Sequence, residues 1–320
     1  MNRPRQFTYH TAPGESLAIQ ELLKARGYSR RLIIHIKQLP AGLLLNEKPA
    51  AVNAMVTPGD VLIVTLPPET PSAAVTPMPM ELQILYQDED LMVLDKAAGV
   101  PIHPSPGNHG NSLADGIAWH FARKGETFTF RVINRLDKDT TGLLILARHA
   151  LSASILSDMV SKRQIHRTYL AAVSGDLRSL TDRSIPGLFC QDSKSGTISA
   201  PIARTKGSAI QREVNFTDGE EAVTHYQILG FRKDLNVSLV KLKLETGRTH
   251  QIRVHFQYLG HPLPGDFLYN PDYRLISRQS LHSWKLSFAH PITKEPLAFT
   301  AAVPDDMKIF TDEDLWDSDF

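Results

Sequence analysis

A single cysteine, Cys190, stands among 320 residues. That excludes a disulfide within the chain and a cysteine-rich zinc site, and it fits a reducing compartment. Long apolar runs are missing too. No window of spanning length is free of charge or proline, and Met1 to His10 carry no apolar signal core. A soluble, cytoplasmic protein is expected, with no membrane partner. Net charge is only +1, but residues 1–68 carry a balance of +4 and residues 305–320 one of −6. A basic body beside an acidic tail can attract nucleic acid, although a balance this small also suits an ordinary solvated surface.

Several chemistries lack their residues. There is no G-x-x-x-x-G-K-[ST], no dinucleotide-binding glycine pattern after a strand, no H-E-x-x-H and no serine or cysteine nucleophile motif. The 13 histidines are dispersed. His250 and His255 are five apart, which on a helix turns them to different faces, so no metal site is expected.

At 42% hydrophobic residues the chain can bury a full core, and its length suggests two domains. Residues 1–68 read as a small α+β unit. Ser16 is positioned to cap a helix bearing Leu17, Ile19, Leu22 and Leu23, and Ser29 a second bearing Leu32, Ile33 and Ile36. Strands at Gly42 to Asn46 and Val61 to Leu66 follow, with Pro58-Gly59-Asp60 as the turn, and Arg26, Arg30, Arg31 and Lys37 lie on or beside the helices. Residues 69–80 form a proline-rich, aperiodic linker.

Beyond it the pattern becomes strand-rich. Ile84 to Tyr86 and Leu91 to Lys96 flank a hairpin turn, Asn111 caps a helix with Leu113, Ile117 and Phe121, and Ala150 to Lys162 is amphipathic. Arg167 to Ser174, Val223 to Arg232, Val237 to Glu245 and Leu281 to Phe288 read as strands, and residues 176–221 as polar surface hairpins or loops. Thr249 caps a helix whose apolar stripe is Ile252, Phe256 and Leu259, leaving His250 and Arg253 for polar work.

The chain is organised around R-V-I-N-R-L-D-K-D-T-T-G-L-L-I-L-A-R, Arg131 to Arg148. A buried strand, Leu143 to Ala147, follows a polar loop closed by Gly142. Asp137 sits between Arg135 and Lys138, which favours its ionised form, so it can serve as base, nucleophile or ligand. Read alone, Asp, Asn and Thr before a strand satisfy turn amides just as readily.

Six segments in order carry a resemblance. Asn134 to Leu144 resembles the H-R-L-D-x-x-T-S-G-L-L signature of RluA-type pseudouridine synthases, and Asp95 to His103 resembles their N-K-P segment. Arg167 to Ala171 resembles K-x-Y-l-A, and Thr246 to His255 matches T-G-R-t-H-Q-I-R-v-H. Gly260-His261-Pro262 with Gly265-Asp266, and Arg278 to His282, complete the set. Asn134 stands where His is commoner, Arg167 stands for Lys, and Pro264 replaces a small aliphatic residue. Residues 1–68 resemble the αL RNA-binding domain first described in a small-subunit ribosomal protein, with Glu47 where its turn usually has glycine. An unrelated small α+β unit is the alternative there.

The resemblance implies an α+β fold: a mixed, mostly antiparallel central sheet with peripheral helices over 81–304, beside the small N-terminal domain and an acidic tail at 305–320. It implies an isomerase converting uridine in RNA to pseudouridine, on ribosomal RNA first and transfer RNA second. No cofactor or metal is needed, because isomerisation balances its own atoms and electrons, and a monomer is expected. Asp137 would be the nucleophile, Tyr169 would pack on the base, and Arg253 would pair with Asp137. Arg135 would fill the gap left by the flipped uridine, while Thr141, Arg248 and Gln251 would bind substrate. A non-catalytic RNA-binding protein and a hydrolase releasing uracil are the rival readings.

Overall fold

The computed structural model describes residues 4–105, 110–180 and 185–311. Near the N-terminus, β1 (Gln6–His10), β2 (Leu17–Ala18), α1 (Ile19–Ala25), α2 (Arg30–Ile36), β3 (Leu43–Leu45), β4 (Lys48–Pro49), β5 (Met55–Val56) and β6 (Val61–Thr65) close around one apolar core. Ser29 caps α2 as expected, its Oγ accepting from Leu32 N. Ser16 does not cap α1. Leu17–Ala18 pairs with Met55–Val56, so the chain is still extended there, and the Ala18 amide donates to Glu21 instead. The turn at Pro58-Gly59-Asp60 joins β5 to β6, not β3 to β6. Asn46 and Glu47, at φ 49° and 66°, form the β3–β4 turn. Glu47 thus occupies a backbone region that costs a non-glycine residue roughly 1–2 kcal/mol. β1, absent from the sequence reading, adds an edge strand to β6.

The body is a ten-stranded sheet. Its first members are β7 (Gln83–Gln87), β8 (Leu91–Lys96), β9 (Thr141–Ala147) and β10 (His166–Ser174), with α3 (Leu113–Ala122) and α4 (Ala150–Ser161) between. Residues 176–221 contribute hairpins, as expected: β11 (Leu188–Cys190) with β12 (Ser195–Ser199), which join this sheet, and β13 (Ile202–Arg204) with β14 (Arg212–Val214), which pair only with each other. β15 (Val223–Arg232), β16 (Val237–Leu244), α5 (Gln251–Tyr258), β17 (Leu281–Ala289) and β18 (Pro296–Thr300) complete it. The strand order is β11-β12-β15-β16-β10-β17-β9-β8-β7, with β18 on β17. All its pairings among the described residues are antiparallel except β17 with β9. The sheet is therefore mixed and mostly antiparallel, as expected.

β9 is buried along its whole length because both faces are covered. Leu144 and Leu146 join Tyr169, Leu242, Ile252 and Phe256 on one side, whereas Leu143, Ile145 and Ala147 meet Leu156 and Met159 of α4 on the other. A strand covered twice loses polar alternation, which is why it reads as an unbroken apolar run.

Two helix starts shift by one residue. α3 is capped by Ser112, not Asn111, in a reciprocal box with Asp115. α5 is preceded by His250 rather than capped by Thr249. The acidic tail also begins later than composition suggests: Asp305–Phe310 is a 3-10 helix with Met307 and Phe310 buried in the body. The linker is docked, since Glu69 bridges to Arg131 at 2.6 Å and Thr76 N donates to the Asp115 carboxylate at 2.9 Å.

Two buried histidines set an acid limit on stability. Burial pushes His255 and His282 down to about 4. Both stay neutral in the folded chain while the unfolded chain begins to bind protons near pH 6.5. Stability is therefore full above that pH and is lost as pH falls toward 4, by roughly 3 kcal/mol for each histidine. Urea midpoints should drop steeply across that window, and His255→Gln with His282→Gln should flatten the dependence. An unchanged slope in the double variant would refute the assignment.

Candidate active site

The loop before β9 is held residue by residue. Asn134 begins it: its Nδ2 donates to Leu143 O at 3.2 Å and its Oδ1 accepts from Ile145 N at 2.9 Å, so an asparagine here ties the loop to its own strand. Arg253 Nη1 donates to Asp137 Oδ2 at 2.8 Å. Buried Lys96 donates to Lys138 O at 2.8 Å, and also to Ala97 O and Val100 O. Arg278 Nη1 donates to Asp139 O at 3.2 Å, Gln279 Nε2 to Thr140 Oγ1 at 3.2 Å, and Thr141 Oγ1 bonds His282 Nδ1 at 2.8 Å. Gly142 closes the loop at φ 106°, where a Cβ would sit 2.2 Å from Ser283 O. Only glycine lets β9 and β17 approach there.

The Asp137 carboxylate keeps 28% of its side-chain surface exposed, while Arg253 is almost wholly buried. Arg253 bridges two carboxylates. Its Nε and Nη2 grip Asp266 at 2.6 and 2.7 Å, leaving Nη1 for Asp137. Burial alone would lower the Arg253 pKa, but Asp266 and Asp137 outweigh it and raise it further, so the guanidinium is always charged. Asp266 is fully enclosed and also accepts from the Leu268 and Tyr269 amides. Gly265 before it has φ 73°, and a Cβ there would meet Arg278 O at 2.2 Å.

Asp137 Oδ1 faces His250, whose Nε2 is 4.0 Å away. His250 adopts φ 58° and its Nδ1 bonds Tyr269 Oη at 3.0 Å. Burial lowers its pKa, with Asp137 opposing, so the imidazole is neutral near pH 7. Burial likewise pushes Lys96 down to about 7, Asp139 and Asp137 opposing. One oxygen of a partly exposed carboxylate is thus fixed by a single Arg253 N–H, on a rigid loop. Such a group can attack an electrophilic carbon or take a proton.

A family model described as RNA pseudouridylate synthase matches residues 90–258. The chain belongs to that family. It is 39% identical over 291 residues to an uncharacterised RNA pseudouridine synthase of Bacillus subtilis, YjbO, covering 91% of this chain and 97% of that one. It is 33% identical over 293 residues to ribosomal large subunit pseudouridine synthase D of Neisseria meningitidis, covering 88% and 73%. Among solved structures it resembles human RNA pseudouridylate synthase domain containing 1, at TM-score 0.54 and 27% identity over 72% of this chain and 86% of that one. No helix among the described residues is long and apolar enough to cross a membrane.

The synthase brings some expected site residues together and assigns others to the scaffold. Tyr169 is buried in the same cluster as Leu136 and Ile252, the neighbours of Asp137 and Arg253 in sequence. Arg135 and Arg248 are exposed and line one polar cleft of about 380 Å3, with Arg204 and Arg212. Thr141 and Gln251 are buried and engaged within the fold. Gln251 accepts from Thr246 Oγ1 and Arg248 N and donates to Val223 O and Thr224 Oγ1, so it shapes the 246–250 turn and has no amide group left for substrate. Arg253 pairs with Asp137 as expected, and a second carboxylate, Asp266, which the sequence reading did not foresee, holds its other side.

Lys96, Asp266, Arg278 and Gln279 were missed as site residues although they lie within the matching segments. Their one local signal was a charged or amide side chain at the end of an apolar strand or beside a glycine.

Proposed function

We propose that this synthase isomerises uridine in structured ribosomal RNA, with Asp137 as nucleophile. The observation that carries the reading is the Asp137 carboxylate itself, held at 2.8 Å by Arg253 through one oxygen while 28% of its side chain stays exposed. In the reaction the N1–C1′ bond breaks, the uracil turns, and the C5–C1′ bond forms. C5 loses a proton and N1 gains one, so nothing is oxidised or reduced. Tyr169, from the apolar wall, packs against the base and assists removal of the C5 proton. Extruding a stacked base costs a few kcal/mol. Arg135, exposed beside Arg248, Arg204 and Arg212, offsets part of that by stacking in the gap while its neighbours hold phosphates. The ribosomal target is supported by the name of the Neisseria relative.

Residues 1–68 add affinity for the RNA, supported by their +4 balance. Pseudouridine mapping in total RNA from cells lacking the protein tests the reading. Loss at a ribosomal uridine, restored by the wild-type chain and not by Asp137→Asn, is expected. Loss confined to transfer RNA would overturn the ribosomal target, and no lost site at all would overturn the function.

A further inference from the structure

A second basic cleft lies between the N-terminal unit and the body. Its volume is about 740 Å3, and β1, the end of α1, α4 and residues 289–294 line it. The cleft is built from a fixed joint. Ser154 Oγ donates to Gly27 O at 2.8 Å, and Leu151, Ile155 and Ile292 pack into the N-terminal core. On the opposite flank Arg5 bridges to Asp90 at 3.1 Å. The two walls are therefore held in one geometry.

Charge in the cleft is one-sided. Lys24, Arg26, Lys162 and Lys294 line it, against one carboxylate, Asp158, which Lys162 already pairs at 2.7 Å. Arg26 lies over the Tyr9 ring at 5.4 Å, and the Tyr9 hydroxyl bonds Tyr28 at 2.9 Å. A guanidinium stacked by its face keeps its edge donors free for an anion. Lys294 bonds a carbonyl, that of Pro291, not a carboxylate. Past the end of α4 a further cleft of about 590 Å3 continues the basic surface with Arg167 and Lys243, its Glu245 being paired to Arg163.

This surface is not the catalytic cleft. α4 covers the sheet face of Leu143 and Ile145, whereas Leu144, Tyr169 and Ile252 belong to the other face. A short stem-loop whose uridine reaches Asp137 does not also fill a groove behind the sheet, because the sheet and the helix packed on it, their layers spaced about 10 Å apart, stand between the two.

We propose that the cleft between the N-terminal unit and α4 binds the phosphate backbone of the substrate RNA at a distance from the modified uridine. The RNA is then gripped on both sides of the sheet. This rests on the reading that the substrate is a large structured RNA. The mode is sequence-independent: cations and a stacked arginine in a groove fit the regular charge of a nucleic-acid backbone.

The test is Lys24→Gln with Arg26→Gln and Lys294→Gln in the full chain, all three side chains being exposed. The probe is an unmodified large-subunit ribosomal RNA transcript, with binding measured across a salt series. Each lost phosphate contact should lower the log–log salt slope by roughly 0.7–0.9, so the triple variant should be shallower by about 2 to 3. The charge-keeping variant Lys24→Arg, Arg26→Lys, Lys294→Arg should retain the wild-type slope. Binding to a short stem-loop carrying the target uridine, and single-turnover rate at saturating transcript, should match wild type. An unchanged slope on the full transcript overturns the proposal, as does an equal loss on the short stem-loop. Wild-type protein that binds the transcript but forms no pseudouridine in it overturns the proposed substrate instead, because the slope is read without catalysis.

Discussion

Asp137→Asn should abolish pseudouridine formation and leave the fold in place. The substitution keeps the shape of the side chain and removes its charge, and the loop does not depend on that charge for its course. Lys96, Arg278, Gln279 and Asn134 hold the neighbouring carbonyls, hydroxyl and amide whatever occupies position 137. The variant amide can still accept from Arg253 through its oxygen. Loss of a nucleophile costs on the order of 10⁴-fold or more in turnover. Thermal unfolding should shift by no more than a few degrees, and RNA binding should persist. Product measured by mass spectrometry at a near wild-type rate, from a folded variant, would remove Asp137 from its role.

The second large effect is on stability and lies one residue deeper. Arg253→Met should destabilise the protein by about 3–5 kcal/mol, since it leaves a buried carboxylate without its cation. The sequence alone points to Asp137 as the stranded partner, so that Asp137→Asn would be the rescue. The structure moves that part to Asp266, which is fully enclosed and makes two contacts with the guanidinium, whereas Asp137 is 28% exposed and can be hydrated. Arg253→Met with Asp266→Asn should therefore recover most of the loss, and Arg253→Met with Asp137→Asn little of it. Arg253→Lys keeps the charge but loses the planar fork that grips Asp266 at two points while presenting Nη1 to Asp137, so it should fold and turn over more slowly. Equal rescue by the two double variants in urea denaturation would show that the bridge does not work this way.

The longer strands were legible because their signals are local. β8, β10, β15, β16 and β17 alternate or run apolar over five to ten residues, and α4 repeats its apolar positions every three or four. Edge strands were less so. β1 and β18 are only five residues long, and each becomes a strand by hydrogen bonding to a partner already in place, β6 and β17 respectively. Helix starts moved by one or two residues where an adjacent segment was recruited into a strand pair or a left-handed turn, as at Leu17–Ala18 and His250.

The sequence by itself determined the family and the loop bearing Asp137, and through that resemblance the α+β sheet architecture and the pairing of Asp137 with Arg253, because motifs in a fixed order survive without coordinates. Only the tertiary structure decided what holds the loop and what the arginine answers to. The partners of residues 137–141 lie at positions 96, 253, 278, 279 and 282, most of them more than a hundred residues away in sequence. Nothing in a local pattern ranks one distant cation over another. The choice is made by burial, since a carboxylate taken fully out of water, as Asp266 is, must be matched within hydrogen-bonding reach, while one left at the rim, as Asp137 is, stays available for chemistry.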